Sequence, residues 1–261
     1  MWVSCGAAAM LSTGSPTDIW YHILQQPHFP KKTLAYLEQQ HALVKFLDAI
    51  SMFVKNLPQE HQFFELNTND HFDVFSNVVI SQPPYEHMLN KLSARIHLHP
   101  QCSNGVHRAP TLARFDTILV HDDRYLSKHR GLHGRSLRCR RHILTFLLGL
   151  CVAEVHAIFK LPSHLGNYPH SLAYIHWFKL LQMLDNDVKM FHISCSRRQW
   201  QPNAEVIPVD CFIQPCHLIP RYPSSTVNPL CICGHALTQA ETFYLNRYID
   251  SCIFKQYRVH T

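Results

Sequence analysis

Between Cys151 and Asp250 the chain keeps returning to one pattern. Short runs of β-branched and aromatic residues recur, most of them separated by Pro, Gly, Asn or Asp. The runs are VAEVHAIFKLP (Val152–Pro162), LAYIHWF (Leu172–Phe178), MFHISCS (Met190–Ser196), AEVIPVDCF (Ala204–Phe212), CHLIP (Cys216–Pro220) and ETFYLNRYID (Glu241–Asp250). Such residues fit a pleated, half-buried surface, and turn formers between them mark where the chain reverses. The stretch predicts strands in a mainly antiparallel barrel or sheet.

Upstream the period changes. Leu34, Leu37, Val44, Leu47, Ile50 and Val54 recur every three or four residues, with His41 filling the gap between Leu37 and Val44. Lys31, Glu38, Lys45, Asp48 and Lys55 fall mostly off that stripe, so a helix is expected from Lys31 to Asn56, ended by Leu57-Pro58. Ser15-Pro16-Thr17-Asp18 supplies helix-start chemistry for a short helix over IWYHILQQ, stopped by Pro27. Phe72–Pro84 reads as one strand leading into a proline turn, Tyr85–Leu98 as a helical turn or two, and Phe115–Asp123 as a short strand ending in an acidic turn. The fold class expected is α+β, with N-terminal helices packed on the β-region. The organisation expected is a disordered tail over 1–15, a helical segment over 16–60 and a β-rich domain over 61–261.

The chain has 261 residues, 46% of them apolar, which permits a sizeable core. Charged residues are only 16% and the net charge is +6, a basic excess that permits contact with nucleic acid without demanding it. Ten cysteines follow no repeated spacing, and the first residues have neither a basic region nor a sustained apolar one. Free thiols in a reducing compartment, nuclear or cytoplasmic, are expected. The longest apolar run, Ile143–Ala153, falls well short of the ~20 residues that cross a bilayer, so no membrane partner is expected.

No catalytic constellation stands out. There is no G-x-S-x-G elbow and no P-loop, and the Asp122-Asp123 pair fits an acidic turn better than a metal-dependent nuclease. Cys231, Cys233 and His235 form the densest cluster of soft ligands, but C-x-C-x-H departs from the paired spacings of structural zinc. No catalytic residue, metal ligand, cofactor or small-molecule substrate is assigned. Arg124–His142 holds seven Lys or Arg, four of them Arg135, Arg138, Arg140 and Arg141. That segment is a basic arm, a nuclear-import patch or an insertion without a role. Arg197, Arg198 and Trp200 are the candidate nucleic-acid-binding residues, because guanidinium groups beside an aromatic suit phosphate contact plus stacking. A solvated hairpin loop is the plainer alternative. Tyr174, Trp177, Phe178, Phe243 and Tyr244 are either pocket-lining or, more in keeping with aromatics on strands, mostly core.

Seven blocks, in order, carry a resemblance to a known family. FDTILVHDD, GLHG (Gly131–Gly134), VAEVHAIFKLP, LGNYPHSLAYIHWF, SCSRRQWQPNAEVIPVD, CHLIPRYP and AETFYLNRYID resemble the C-terminal region of fungal Plavaka and KDZ-type transposases. Residues Pro27–Gln82 resemble the stretch before it less distinctly. The likeness implies a non-catalytic C-terminal fragment whose ancestral role is DNA or chromatin contact. A self-associating interaction module of the transposase and a degenerate copy without activity are the alternatives. In the family GLHG runs almost directly into the next strand, whereas here Arg135–Gly149 intervenes, as an in-frame translated intron or another insertion would. The native strand is therefore expected to resume at Leu150–Cys151. CICGHALTQ also replaces a stretch that is more polar in the family. A weaker, fold-level likeness is to bromo-adjacent homology domains, small β-barrels that bind nucleosomes or partner proteins.

Overall fold

The computed structural model describes residues 2–5, 19–24, 26–57, 67, 69–82, 92–100, 113–121, 150–165, 168–185, 187–222, 240–246 and 248–249. The strands are β1 (Trp2–Cys5), β2 (Trp20–Leu24), β3 (Phe29–Thr33), β4 (His71–Phe75), β5 (Asn77–Gln82), β6 (Leu92–His99), β7 (Arg114–Phe115) and β8 (Thr117–His121). They continue with β9 (Leu150–Lys160), β10 (Leu172–Leu184), β11 (Phe191–Cys195), β12 (Arg197–Arg198), β13 (Gln201–Pro202), β14 (Ala204–Pro208), β15 (Phe212–Cys216), β16 (Leu218–Arg221) and β17 (Thr242–Leu245). Two helices, α1 (Leu34–Gln40) and α2 (Phe46–Lys55), lie between β3 and β4. The fold is α+β, and every strand pair among the described residues is antiparallel.

β9 and β10 are the frame. They pair with each other over Leu172–Trp177, and each carries two shorter strands end to end along its other edge. β8 and β4 line the free edge of β9. β14 and β11 line that of β10, against its first and second halves. Leu150, the first described residue of β9, is the cross-strand partner of His121. The segment 122–149 thus leaves and re-enters the sheet at neighbouring positions.

Alternate residues of β9 and β10 feed two separate cores. On one face Phe72, Val74, Ala157, Phe159, Leu172, Tyr174 and Val206 pack against Leu34, Leu37, Phe46, Ile50 and Phe53 of the helices. On the other, Ala153, Val155, Ile158, Ala173 and Ile175 meet Tyr21, Val78, Ile80, Ile96 and Leu98 from the five-stranded sheet β1-β2-β5-β6-β7. A third cluster, including Phe178, Phe191, Ile193, Phe243 and Leu245, closes the end formed by β11, β16 and β17.

Tyr21 ties the two sheets together. Its hydroxyl lies 2.9 Å from the carbonyl of Asp210 and 2.6 Å from that of Phe212, both of which accept from it. Tyr21→Phe is expected to destabilise by about 1–2 kcal/mol, because it removes a buried donor and keeps the ring. Urea unfolding checks this; a midpoint equal to that of the wild type would mean the hydroxyl bridges nothing.

Five local expectations are corrected. Ile19–Gln26 is not a helix: Trp20–Leu24 is strand β2, paired on both sides by β1 and β5. Six apolar and aromatic residues are too few to nucleate a helix alone, and their β propensity wins once edges are on offer. Residues 2–5 of the expected disordered tail are that partner strand; 6–18 lie outside the described residues. The strand expected over Phe72–Pro84 is two strands over His71–Gln82, broken at Ser76, which pass into different sheets; 83–84 lie outside the described residues. Leu92–His99 is a strand, its alternation of buried Ile96 and Leu98 with Arg95 and His97 having the two-residue period of a sheet. The helix expected from Lys31 to Asn56 starts at Leu34, capped by the Thr33 hydroxyl, and is interrupted over 41–45.

That interruption has a physical cause. His41 and His156 exchange hydrogen bonds, the Nδ1–H of each donating to the backbone carbonyl of the other, at 2.8 and 3.1 Å. The His41 carbonyl, which a continuing helix would need four residues on, is thereby taken by the sheet. The Tyr174 hydroxyl takes the Val44 carbonyl in the same way. The chain turns between the two helices with Ala42 and Lys45 at φ 53° and 56°.

Candidate functional site

The three residues singled out for nucleic acid meet at one hairpin tip. β12 pairs with β13 through Arg197↔Pro202 and Arg198↔Gln201, leaving Gln199-Trp200 as a two-residue turn. Both turn residues have positive φ, 49° and 66°, as the right-handed twist of a tight hairpin demands. Gly or Asn usually fills such positions; a residue with a longer side chain costs about 1–2 kcal/mol in each. The side chains displayed are consequently unusual for the site. Trp200 is 93% exposed, and Arg197 and Arg198 are exposed beside it.

The hairpin is firmly rooted. It projects from the edge of β10 between β11 and β14, where Ser196 N–H donates to the Trp177 carbonyl and Trp177 N–H donates to the Asn203 carbonyl, both at 2.9 Å. Asn203 N–H closes the neck on the Ser196 carbonyl at 2.8 Å. The Trp177 indole N–H also donates to Glu205 Oε2 at 2.8 Å. A rigid root with an exposed aromatic and two cations at its tip can stack on a flat π-system and contact an anion at once.

The remaining sequence candidates divide cleanly. Tyr174, Phe178 and Phe243 are buried and Trp177 and Tyr244 partly buried, with Tyr174, Trp177 and the Phe178–Phe243 pair in three different cores. Asp122-Asp123, Arg135, Arg138, Arg140, Arg141, Cys231, Cys233 and His235 lie outside the described residues, as does the insertion expected at 135–149. Among the described residues Cys195 and Cys216 are free thiols, and burial pushes the Cys216 thiol up to about 12.

A second arrangement escaped the sequence reading altogether. Glu154, His156 and His176 each present a ligand atom, and the three atoms lie within 4.8 Å of one another. Among the described residues no other three His, Cys, Asp or Glu converge in this way. Glu154 and His176 are direct cross-strand partners on β9 and β10. His156 joins them through a β-bulge, since the register slips between Tyr174↔Ala157 and Ile175↔Val155 and leaves His156 as the extra residue. The bulge turns His156 and Ala157 to the same side, where a regular strand would alternate them.

The ring nitrogens show how the cluster is set. A carbonyl can only accept, so His156 carries its proton on Nδ1, donating to His41. Its Nε2 lies 3.1 Å from Glu154 Oε2. The His156 and His176 rings are 3.9 Å apart, and Phe115 covers His156 at 4.2 Å. His176 Nε2 and His41 Nε2 are buried and have no hydrogen-bond partner. Desolvation, reinforced by the adjacent His156, drops His176 to about 2 and His41 to about 4, so both rings stay neutral in the physiological range.

Another polar knot has a complete structural explanation. Asp185, at the end of β10, accepts from the Tyr244 hydroxyl at 2.9 Å and from the backbone N–H of Val188 and Asp187, with His192 Nε2 at 3.3 Å. These donors, the Tyr244 hydroxyl first, hold the carboxyl down at about 2. The group shapes the β10–β11 turn.

No protein-family model matches this chain, and no curated protein or solved structure matches it either.

Proposed function

We propose that the chain is a non-catalytic, DNA- or chromatin-contacting module of a fungal transposon protein, with the Arg197–Trp200 hairpin as its contact element. The observation that carries the reading is Trp200, 93% exposed at a strained tip and flanked by two exposed guanidinium groups. Burying nothing, the indole does no packing work in the fold, and backbone strain persists where surrounding structure holds it for a use. The net charge of +6 favours a polyanionic partner. The seven-block resemblance to Plavaka and KDZ-type transposases includes this hairpin in its SCSRRQWQPNAEVIPVD block. The fold-level likeness to bromo-adjacent homology domains points to the same class of partner.

Single-stranded and duplex oligonucleotides titrated over a salt series test the reading. Trp200→Ala is expected to weaken single-strand binding by about 1–3 kcal/mol, the range for loss of one stacked base. Arg197→Ala with Arg198→Ala is expected to flatten the plot of log K against log salt by roughly 1.4–1.8, the contribution of two phosphates. Wild-type affinities and slopes in both variants would sink the proposal. Salt-insensitive self-association that depends on Trp200, with no nucleic-acid binding, would replace it by the interaction-module alternative.

A further inference from the structure

The Glu154–His156–His176 cluster poses a problem of lone pairs. His156 spends its only neutral-state proton on the His41 carbonyl, so its Nε2 presents a lone pair to the Glu154 carboxylate at 3.1 Å. Two acceptors at that separation repel unless a cation lies between them. A proton on Nε2 would satisfy that pair but would leave His176 Nε2 buried without a partner beside it. A metal ion accepts lone pairs from all three residues together. We infer that Glu154, His156 and His176 form a two-histidine, one-carboxylate site for a divalent first-row transition ion of the zinc class.

The geometry suits such an ion. Ligands at ~2.0–2.1 Å around a tetrahedral centre stand ~3.3 Å from each other, and the His156–Glu154 pair is already at 3.1 Å. The three ligand atoms all lie within 4.8 Å of one another. The supporting contacts have the form metal-bound imidazoles require: His156 donates its second ring N–H to a backbone carbonyl, which fixes its tautomer and aims Nε2 inward. Two imidazoles with one carboxylate select against Mg²⁺ and Ca²⁺, which prefer all-oxygen shells. Three protein ligands leave a fourth position open. The His156 side chain is 7% exposed and that of Glu154 17%, so Glu154 marks the way in. The opposite neighbour of His176 across β14 is Ala204, which brings no competing polar group.

The site is independent of the hairpin reading, and its test uses no nucleic acid. Chelator-stripped full-length protein is titrated with Zn²⁺ and followed by thermal unfolding. Zinc at about a hundred times its Kd is expected to raise Tm by about 5–10 °C. Glu154→Gln and His176→Gln are expected to weaken that response at least tenfold. His192→Gln, which removes a histidine outside the cluster, leaves it unchanged. X-ray absorption of the wild-type zinc form covers the case in which the variants fail to fold. A first shell of nitrogen and oxygen at ~2.0–2.1 Å supports the site, and a sulfur shell at ~2.3 Å overturns it by placing the metal on cysteines. An equal zinc response in wild type and both cluster variants overturns it as well.

Discussion

Phe46→Ala is expected to destabilise the protein by about 3–5 kcal/mol, the range for truncating a fully buried aromatic whose surroundings cannot collapse into the space. Phe46 is completely buried at the start of α2. Its ring meets those of Phe72, Phe159 and Tyr174 edge to face at 5.2, 5.3 and 5.7 Å, so one side chain joins the helix to β4, β9 and β10. Phe72 and Phe159 also pack edge to face with each other at 5.8 Å. Edge-to-face pairs add to area burial because the positive ring edge meets a negative ring face. The three partners sit on rigid strands and cannot follow the helix inward, so the cavity persists. Met52, on the same helix but 58% exposed, is the control; Met52→Ala is expected to stay within about 0.5 kcal/mol. Urea midpoints with constant m-values separate the two. A loss of less than about 1 kcal/mol for Phe46→Ala would mean that α2 does not dock on this sheet.

The same ring cluster shows what the sequence could convey. Leu34, Leu37 and Ile50 were marked by their three-to-four spacing, and all three are buried against the sheet. Phe46 and Phe53, equally buried, were not on the stripe as read, because the stripe assumed one continuous helix. The break over 41–45 shifts the angular position of everything after it. Nothing local announces that break, since neither Gly nor Pro occupies those positions. It comes from His156 and Tyr174, more than a hundred residues away, drawing backbone carbonyls out of the helical ladder. The strands fared better because a two-residue alternation needs only its own neighbours. Val152–Pro162, Leu172–Phe178 and Met190–Ser196 correspond to β9, the first half of β10, and β11.

The two sites differ in legibility for a related reason. Arg197, Arg198 and Trp200 lie within four consecutive residues, so a short hairpin is enough to bring them together. The histidine cluster spans two strands, and its third member depends on which residue of β10 faces Glu154. Register is set by the whole sheet, and a one-residue slip would send His176 to the opposite face. The legible signal was E-x-H within one strand run, Glu154-Val155-His156, which places both groups on one side of a regular strand. The bulge at His156, which the sequence does not mark, then sets how that side is presented.

The buried His41 should make the fold acid-labile between about pH 6.5 and pH 4. Its ring is fully buried among Phe29 on β3, Tyr36 on α1, Phe115 on β7 and His156 on β9. Desolvation lowers its pKa from the ordinary 6.5 to about 4; the bond to the His156 carbonyl opposes that shift, and the imidazole of His156 adds to it. Above pH 6.5 folded and unfolded chains both carry the ring neutral, and the stability is fully present. Below that, the unfolded chain takes up a proton that the folded chain refuses until about pH 4. Stability therefore falls with pH across this window, by about 3 kcal/mol in total from this residue. His41→Asn keeps a donor near the place of Nδ1 but cannot titrate. It is expected to unfold more easily at pH 7, where it leaves a cavity, yet to lose stability more gently on acidification, by close to one proton's worth of slope. Urea midpoints measured every half pH unit on chelator-stripped protein give that slope directly. Parallel curves for the wild type and His41→Asn would show that His41 accepts its proton as readily folded as unfolded, and with that the account of why the helix breaks at His41 would lose its buried, neutral ring.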